Sequence, residues 1–234
     1  MSAVCVNQKD NAADKTSTFY YRLNVPIPSY LLAIVIGNLE SKTIDSRTSV
    51  ITEPTNIDDY AHILRDLGTL LNKTEDYVKY PYIWGNYTIL VLPPSFPVGG
   101  MENPLLTFAS PTIMVPDGSQ IYVATHEIAH SWTGNLVTCR DWSNLWLNEG
   151  FTTFIERRVS AQVDGQEFSS VESLLGNQSY YDDMNGFGQY DSYSSLYPFV
   201  KHNAPDGASS LVTYEKGQQF MYYLMYQMDS EGDF

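Results

Sequence analysis

The sequence predicts an α+β fold, with strands near its beginning and mainly helices after them. Residues 17–53 carry the strand signals, which include an aromatic-rich segment at 19–24 and an uninterrupted apolar run at 30–36. Farther along the chain the pattern changes, because apolar side chains recur at the spacing of one helix face. The residues of that face are Tyr60, Ile63, Leu64, Leu67, Leu70 and Leu71. We therefore place a domain boundary near residue 52.

The later elements mix strands and helices. We predict strands at 87–92 and 105–109, helices at 119–133 and 145–163, an irregular loop at 177–205, and a final helix beginning near Thr213. Eight of the nine residues at 220–228 are apolar, so the final helix has no face suited to water. Such a helix must be covered by protein. We favour a chain cut from a longer protein, and the alternative is that this helix is central in its own domain.

Composition limits the partners that the chain can have. It has 234 residues, with 13 Lys and Arg against 27 Asp and Glu, for a formal net charge of −14. Phosphate backbones and acidic lipid surfaces repel such a chain, so we expect neither a nucleic acid nor a membrane as partner. The longest apolar run, at 30–36, is far shorter than the roughly 20 residues that span a bilayer. Because the first ten residues turn polar by Asn7, we expect no signal peptide and a cytoplasmic location.

The segment His126-Glu127-Ile128-Ala129-His130 has the H-E-x-x-H pattern of a zinc-binding helix. Side chains four residues apart on a helix lie about one turn above one another, so both imidazoles can bind one ion. Glu127 is rotated away from them and can approach a water molecule at the metal without binding the metal itself. A catalytic zinc site needs a third protein ligand and one open position. The candidate third ligand is Glu149, which eighteen residues separate from His130.

With these residues and several further blocks, the chain resembles the zinc aminopeptidases of the gluzincin clan. The blocks are GGMEN at 99–103, WTGNLV at 132–137, WLNEG at 146–150 and YEKG at 214–217. The sequence VLPPSFP at 91–97 and the context of YEKG are most similar to the members of the family that also hydrolyse a leukotriene epoxide. The resemblance covers nearly the whole chain.

The resemblance implies two parts of different architecture. Residues 1–52 would be the carboxy-terminal part of an all-β amino-terminal domain, and residues 53–234 a thermolysin-like mixed α/β catalytic domain with one zinc ion. The family also has a carboxy-terminal helical domain, to which nothing in this sequence corresponds. We therefore expect an internal fragment that lacks the flanking domains of the full-length protein.

The resemblance also implies a role for each site residue. His126, His130 and Glu149 would bind zinc, Glu127 would act as general base and then acid, and Tyr214 would donate a hydrogen bond to the oxyanion. The substrate-binding motif would comprise Gly99, Gly100, Met101, Glu102 and Asn103. Within it, Glu102 would bind the free α-ammonium of a peptide, and the two glycines would let the peptide backbone approach closely. Glu156 is either a partner of the metal ligands or part of a solvated helix face.

The function implied is removal of amino-terminal residues from short peptides by metal-activated water. One alternative is hydrolysis of a lipid epoxide at the same zinc, because Asp206 matches an aspartate that directs water in epoxide opening. Ser209 stands where the epoxide-opening members have a tyrosine, which leaves that alternative open. A further alternative is a zinc-binding fragment without catalytic activity. The expected partner is a peptide with a free amino terminus, or else a lipid epoxide.

Overall fold

The structure, a computed structural model, describes residues 1–187, 191–200 and 210–231, and in residues 229–231 only the backbone. It contains two compact units: the first comprises residues 1–68 and 82–123, and the second comprises residues 69–81 and the described residues from 124 onward. Within the described ranges, every helix is too short or too polar to cross a membrane.

A five-stranded sheet forms the centre of the first unit, in the spatial order β3-β4-β5-β7-β6. The strands are β3 (Glu40–Thr43), β4 (Thr48–Thr52), β5 (Tyr87–Val91), β6 (Gly100–Met101) and β7 (Thr107–Ala109). The three central strands run parallel, whereas β3 and β6 pair antiparallel at the two edges. Val50, Ile89 and Leu90 are fully buried in it, as is usual for parallel strands. The predicted strands at 87–92 and 105–109 are confirmed.

The beginning of the chain forms a separate antiparallel hairpin of β1 (Val4–Asn11) and β2 (Thr16–Arg22). The prediction of a buried strand at 30–36 is wrong. This run begins in a 3₁₀ turn at Ser29–Leu31 and then continues without strand pairing. Hydrogen bonds with Ser2 hold Ala33, but the side chain of Ile36 is 94% exposed. The apolar composition therefore reflects two buried positions, Leu31 and Ala33, rather than a core strand.

Strands from both sides of residue 52 share the five-stranded sheet, because β4 pairs with β5. The predicted boundary near residue 52 therefore does not separate two sheets. Helix α1 (Ile57–Ile63) also belongs to the first unit, and α2 (Leu67–Val78) runs from the first unit into the second. The structure confirms a mixture of strands and helices, while the assignment of 1–52 and 53–234 to two domains stays a prediction.

The second unit is helical in the described residues. Its elements are α3 (Tyr122–Ala129, entering from the first unit), α4 (Trp146–Val163), α5 (Gln166–Phe187), a π-helical turn at Val212–Lys216, and α6 (Gly217–Glu231). Ala129, Ile155 and Val159 form a buried cluster between α3 and α4, and Tyr77 and Val78 of α2 pack against it. The helices predicted at 119–133, at 145–163 and from about Thr213 are confirmed.

The prediction of an irregular loop at 177–205 is wrong for residues 177–187, which belong to helix α5. The helix continues to Phe187, whereas 191–200 is irregular apart from a 3₁₀ turn at Ser192–Ser194. The buried side chains of α5 are Ser169 and Glu172, and the Ser169 hydroxyl donates to the Arg157 carbonyl at 2.9 Å. The buried positions of α5 are therefore small or polar, whereas its larger apolar residues Val171, Leu174 and Leu175 are exposed, so apolar periodicity does not report how this helix packs.

Helix α6 has the apolar surface that its sequence predicts. Its Tyr222 ring packs edge-on against Phe154 of α4, with 5.0 Å between centroids. Tyr223, Tyr226 and Met228 are exposed. Among the described residues, nothing covers this side of the helix, so the predicted covering protein stays a prediction.

Candidate active site

His126, His130 and Glu149 converge in the second unit. Helix α3 carries His126, and its last turn is closed by the His130 N–H, which donates to the His126 carbonyl at 3.1 Å. Helix α4 carries Glu149 in its first turn. The Nε2 atoms of the two imidazoles lie 3.1 Å apart. Oε2 of Glu149 lies 3.4 Å from Nε2 of His126 and 3.1 Å from Nε2 of His130, so the three predicted ligands point at one position.

The other ring nitrogens of both histidines are held by neighbouring groups. Nδ1 of His126 lies 2.9 Å from Oε2 of Glu156. Nδ1 of His130 donates to the Thr133 carbonyl at 2.8 Å and lies 3.1 Å from the Thr152 hydroxyl. Such partners fix the orientation and the tautomer of a metal-binding histidine. Both rings therefore turn Nε2 toward Glu149.

The donor set fits a zinc ion. Oε2 of Glu149 is buried and makes no hydrogen bond in the described part of the chain. Burial disfavours a charge on His126, but the carboxylates of Glu149 and Glu156 raise the pKa of His126 well above its ordinary value. Burial also opposes ionisation of Glu149, but His130 and His126 beside it hold its pKa well below the usual range. A positive charge is therefore favoured at the position where the three side chains converge. Two imidazole nitrogens and one carboxylate oxygen are ligands typical of catalytic zinc.

Two further predicted residues belong to this unit. Glu127 is buried on α3, and its charge adds to the effect of Glu149 and Glu156, which raise the pKa of His126 against the opposing effect of burial. The π-helical turn at Val212–Lys216 carries Tyr214. Its ring stacks on His126, with centroids 5.8 Å apart and planes 25° from parallel. Single π-helical turns occur often at functional sites, and this one brings Tyr214 to the candidate metal ligands.

The predicted substrate-binding motif lies in the first unit. Gly100 and Met101 form β6, which pairs with β7 and is an edge of the five-stranded sheet. The Gly99 carbonyl accepts a hydrogen bond from the Ser110 N–H at 2.8 Å. Glu102 and Asn103 follow directly and are buried. The five residues therefore form one continuous segment at a sheet edge.

Asp206 and Ser209, the residues that bear on epoxide hydrolysis, lie outside the described residues. Their predicted role stays a prediction.

The structure adds Thr152, which the sequence pattern does not single out and which lies against His130. It also decides between the two roles that were open for Glu156, which is buried and holds His126. Arg157 and Glu215 are also buried and form an ion pair. No signal in the sequence distinguishes Arg157, because its neighbours Glu156 and Arg158 are also charged.

Comparison with known proteins gives consistent matches. Residues 64–234 match the peptidase family M1 domain. The chain is 42% identical over 225 residues to leukotriene A-4 hydrolase of Xenopus laevis, an alignment that covers 96% of this chain and 37% of that protein. It is 44% identical over 210 residues to leucine aminopeptidase 2 of Aspergillus clavatus, covering 89% of this chain and 34% of that protein.

The fold also matches solved structures of an LTA4 hydrolase. A structure of yeast LTA4 hydrolase in complex with bestatin matches with a TM-score of 0.87 and 36% sequence identity, covering 95% of this chain and 35% of that one. The chain thus spans about a third of the length of the proteins that it matches.

Proposed function

This chain belongs to peptidase family M1, and from its site we propose that it carries the catalytic centre of a zinc-dependent aminopeptidase acting on short peptides. The observation that carries the proposal is the convergence of His126, His130 and Glu149, with Nδ1 of each imidazole held by a partner. The similarity to leucine aminopeptidase 2 supports this reaction class. A cytoplasmic location is part of the proposal.

In the proposed reaction, His126, His130 and Glu149 hold the zinc ion. When bound, zinc would polarise the scissile carbonyl and make water at the site more acidic. Glu127 takes a proton from the attacking water and passes it to the leaving amine, which is the work of a general base and then a general acid. Tyr214 donates a hydrogen bond to the oxygen on which negative charge develops, a contact that is strongest in the transition state.

The restriction to amino termini is assigned to the segment Gly99–Asn103. The carboxylate of Glu102 pairs with the free α-ammonium of the peptide and thereby fixes which bond is cleaved. The edge position of Gly100 and Met101 supports this assignment, because an edge strand has backbone groups that can pair with an extended peptide. Gly99 and Gly100 have no side chains that would hinder this approach.

The similarity to leukotriene A-4 hydrolase favours hydrolysis of a lipid epoxide as the second candidate function. Under this proposal the same zinc ligands serve both reactions, and Asp206 directs the water. The third candidate is a zinc-binding segment that has no catalytic activity.

One set of assays separates these candidates. The complete protein that carries this sequence is purified, and its zinc content is measured together with its hydrolysis of aminoacyl-anilide and leukotriene-type epoxide substrates. We expect one zinc per chain and anilide hydrolysis, which Glu127→Gln lowers by about 100- to 10,000-fold without loss of zinc. Epoxide hydrolysis without anilide hydrolysis would favour the second candidate, and stoichiometric zinc without either activity would favour the third.

A further inference from the structure

A buried arginine lies among three buried carboxylates behind the candidate metal site. Nη1 of Arg157 contacts Oε1 of Glu156 and lies 3.5 Å from Oε2 of Glu172. Nη2 of Arg157 donates to Oε1 of Glu215 at 3.2 Å. All four side chains are less than 9% exposed. Burying four ionisable groups is costly unless they are paired, so this cluster needs an explanation.

Two of these carboxylates connect Arg157 to the catalytic elements. The second oxygen of Glu156, Oε2, lies 2.9 Å from Nδ1 of His126. Glu215 directly follows Tyr214 in the π-helical turn. Arg157 therefore contacts the group that orients His126 and also the residue adjoining Tyr214, whose ring stacks on His126.

The structure makes room for this connection at Gly176 of α5. A Cβ atom at Gly176 would overlap the carboxylate of Glu215, so a larger residue there would require Glu215 or α5 to shift. One turn earlier on α5, Glu172 faces the same guanidinium. Helix α5 thus encloses the ion-pair cluster.

We propose that Arg157 is a positioning residue. It keeps the side chains of His126 and Tyr214 at a fixed distance and orientation to each other, because separate nitrogens of its planar guanidinium bind Glu156 and Glu215. A guanidinium presents its donors at fixed angles, whereas a lysine ammonium is a point charge on a flexible stem. Lysine at this position would keep the positive charge but could not hold both carboxylates in a defined geometry. The part of the proposal that concerns Tyr214 rests on the proposed aminopeptidase function, and the part that concerns His126 does not.

Arg157→Lys tests the proposal, and Arg158→Lys is the matched control. Arg158 is the next residue on α4, and its hydrogen-bond partner is Tyr77 of α2. In the complete protein, the zinc dissociation constant is measured by competition with a chelator, and kcat and KM with an aminoacyl-anilide. We expect Arg157→Lys to weaken zinc binding by about tenfold or more and to lower kcat by about tenfold with a nearly unchanged KM. Arg158→Lys should leave all three values within about twofold of the parent.

A double-mutant comparison distinguishes positioning from a purely structural role. Tyr214→Phe is made in the parent and in Arg157→Lys. If Arg157 positions Tyr214, the substitution lowers kcat by a smaller factor in Arg157→Lys, because the phenol is already misplaced there. A purely structural role would lower the melting temperature but leave the two factors equal, and equal factors would overturn the link to Tyr214.

The test also covers a variant that does not fold and a parent protein that hydrolyses no peptide. If Arg157→Lys does not fold, Glu215→Gln replaces it, because the amide has the same shape and loses only the ionic part of the contact. The Tyr214→Phe factor is then compared between Glu215→Gln and the parent. If the parent hydrolyses no peptide, the proposed function fails and the zinc dissociation constant decides alone. A zinc dissociation constant that is equal in Arg157→Lys and Arg158→Lys would overturn the link to His126.

Discussion

Gly150 of α4 and Gly217 of α6 pass so close that a Cβ atom on Gly150 would lie 2.7 Å from the Cα of Gly217. In the reverse direction, a Cβ atom on Gly217 would lie 2.8 Å from the Cα of Gly150. Gly150 directly follows the candidate ligand Glu149, and Gly217 directly follows the π-helical turn that carries Tyr214. This backbone contact therefore sets the distance between the helix that carries the candidate metal ligand and the turn that carries Tyr214.

We expect Gly150→Ala to destabilise the protein and to weaken zinc binding. The added methyl group would meet main-chain atoms, which cannot move aside as a flexible side chain can, and overpacking of this kind costs about 1–3 kcal/mol. Denaturant unfolding and the zinc dissociation constant measure the two effects. The control is Gly186→Ala on α5, where a Cβ atom would meet nothing within 4 Å. There we expect a stabilisation of up to about 1 kcal/mol from helix propensity. Equal stabilities for the two variants would show that α4 and α6 can move apart without cost.

Glu149→Ala and Glu127→Gln should separate metal binding from catalysis. Removing Glu149 takes away one of three candidate ligands, so we expect the zinc content of the purified protein to fall. Glu127→Gln should retain zinc at the level of the parent and lose turnover, because an amide cannot accept the proton. Metal analysis of the two variants side by side is the measurement. Full zinc content in Glu149→Ala would remove this residue from the ligand set.

The candidate metal ligands could be predicted from the sequence because their geometry is largely local. His126 lies on α3 and His130 directly follows its last residue, one turn later, and the blocks around Glu149 point to it as the candidate third ligand. The groups that hold them were harder to find. Glu156 could be placed on the face of Glu149, but only the structure shows that it is buried and lies against His126.

The fold errors have a related cause. The run at 30–36 has the composition of a core strand, yet Ile36 is exposed, because burial depends on what packs against a segment. Helix α5 has the opposite composition: its buried residues, Ser169 and Glu172, pair with groups on α4. A hydrophobic pattern cannot report packing that is made through hydrogen bonds and ion pairs. For the same reason, the pattern gave no role to Arg157.

Glu102→Ala should reduce hydrolysis in a way that depends on the amino terminus of the substrate. Peptides with a free α-ammonium lose the charge-assisted pair and should lose most of their kcat/KM. Peptides with an acetylated amino terminus never form this pair, so their low rate should change least. The measurement is the ratio of kcat/KM for matched free and acetylated peptides. If both fall by the same factor, buried Glu102 supports the fold and does not recognise the ammonium.

The ion-pair cluster also predicts a pH dependence of stability that originates at Glu172. Burial raises the pKa of Glu172 from 4.5 to about 7, and the charges of Glu156, Asp164 and Glu215 add to this effect, while Arg157 opposes it. Between these two values the folded protein keeps a proton that the unfolded chain releases. The contribution of Glu172 therefore destabilises the folded state increasingly as the pH rises from about 4.5 to about 7, and it is constant above that range.

Glu172→Gln removes this contribution, because the amide is neutral at every pH. We expect the variant to be more stable than the parent at pH 8, and the difference between their melting temperatures to shrink or reverse at pH 5, where parent Glu172 is protonated in the folded protein. Glu167→Gln, an exposed position on the same helix, is the control, and its difference from the parent should be nearly the same at both pH values. A difference for Glu172→Gln that does not change with pH would mean that Glu172 is ionised in the folded protein.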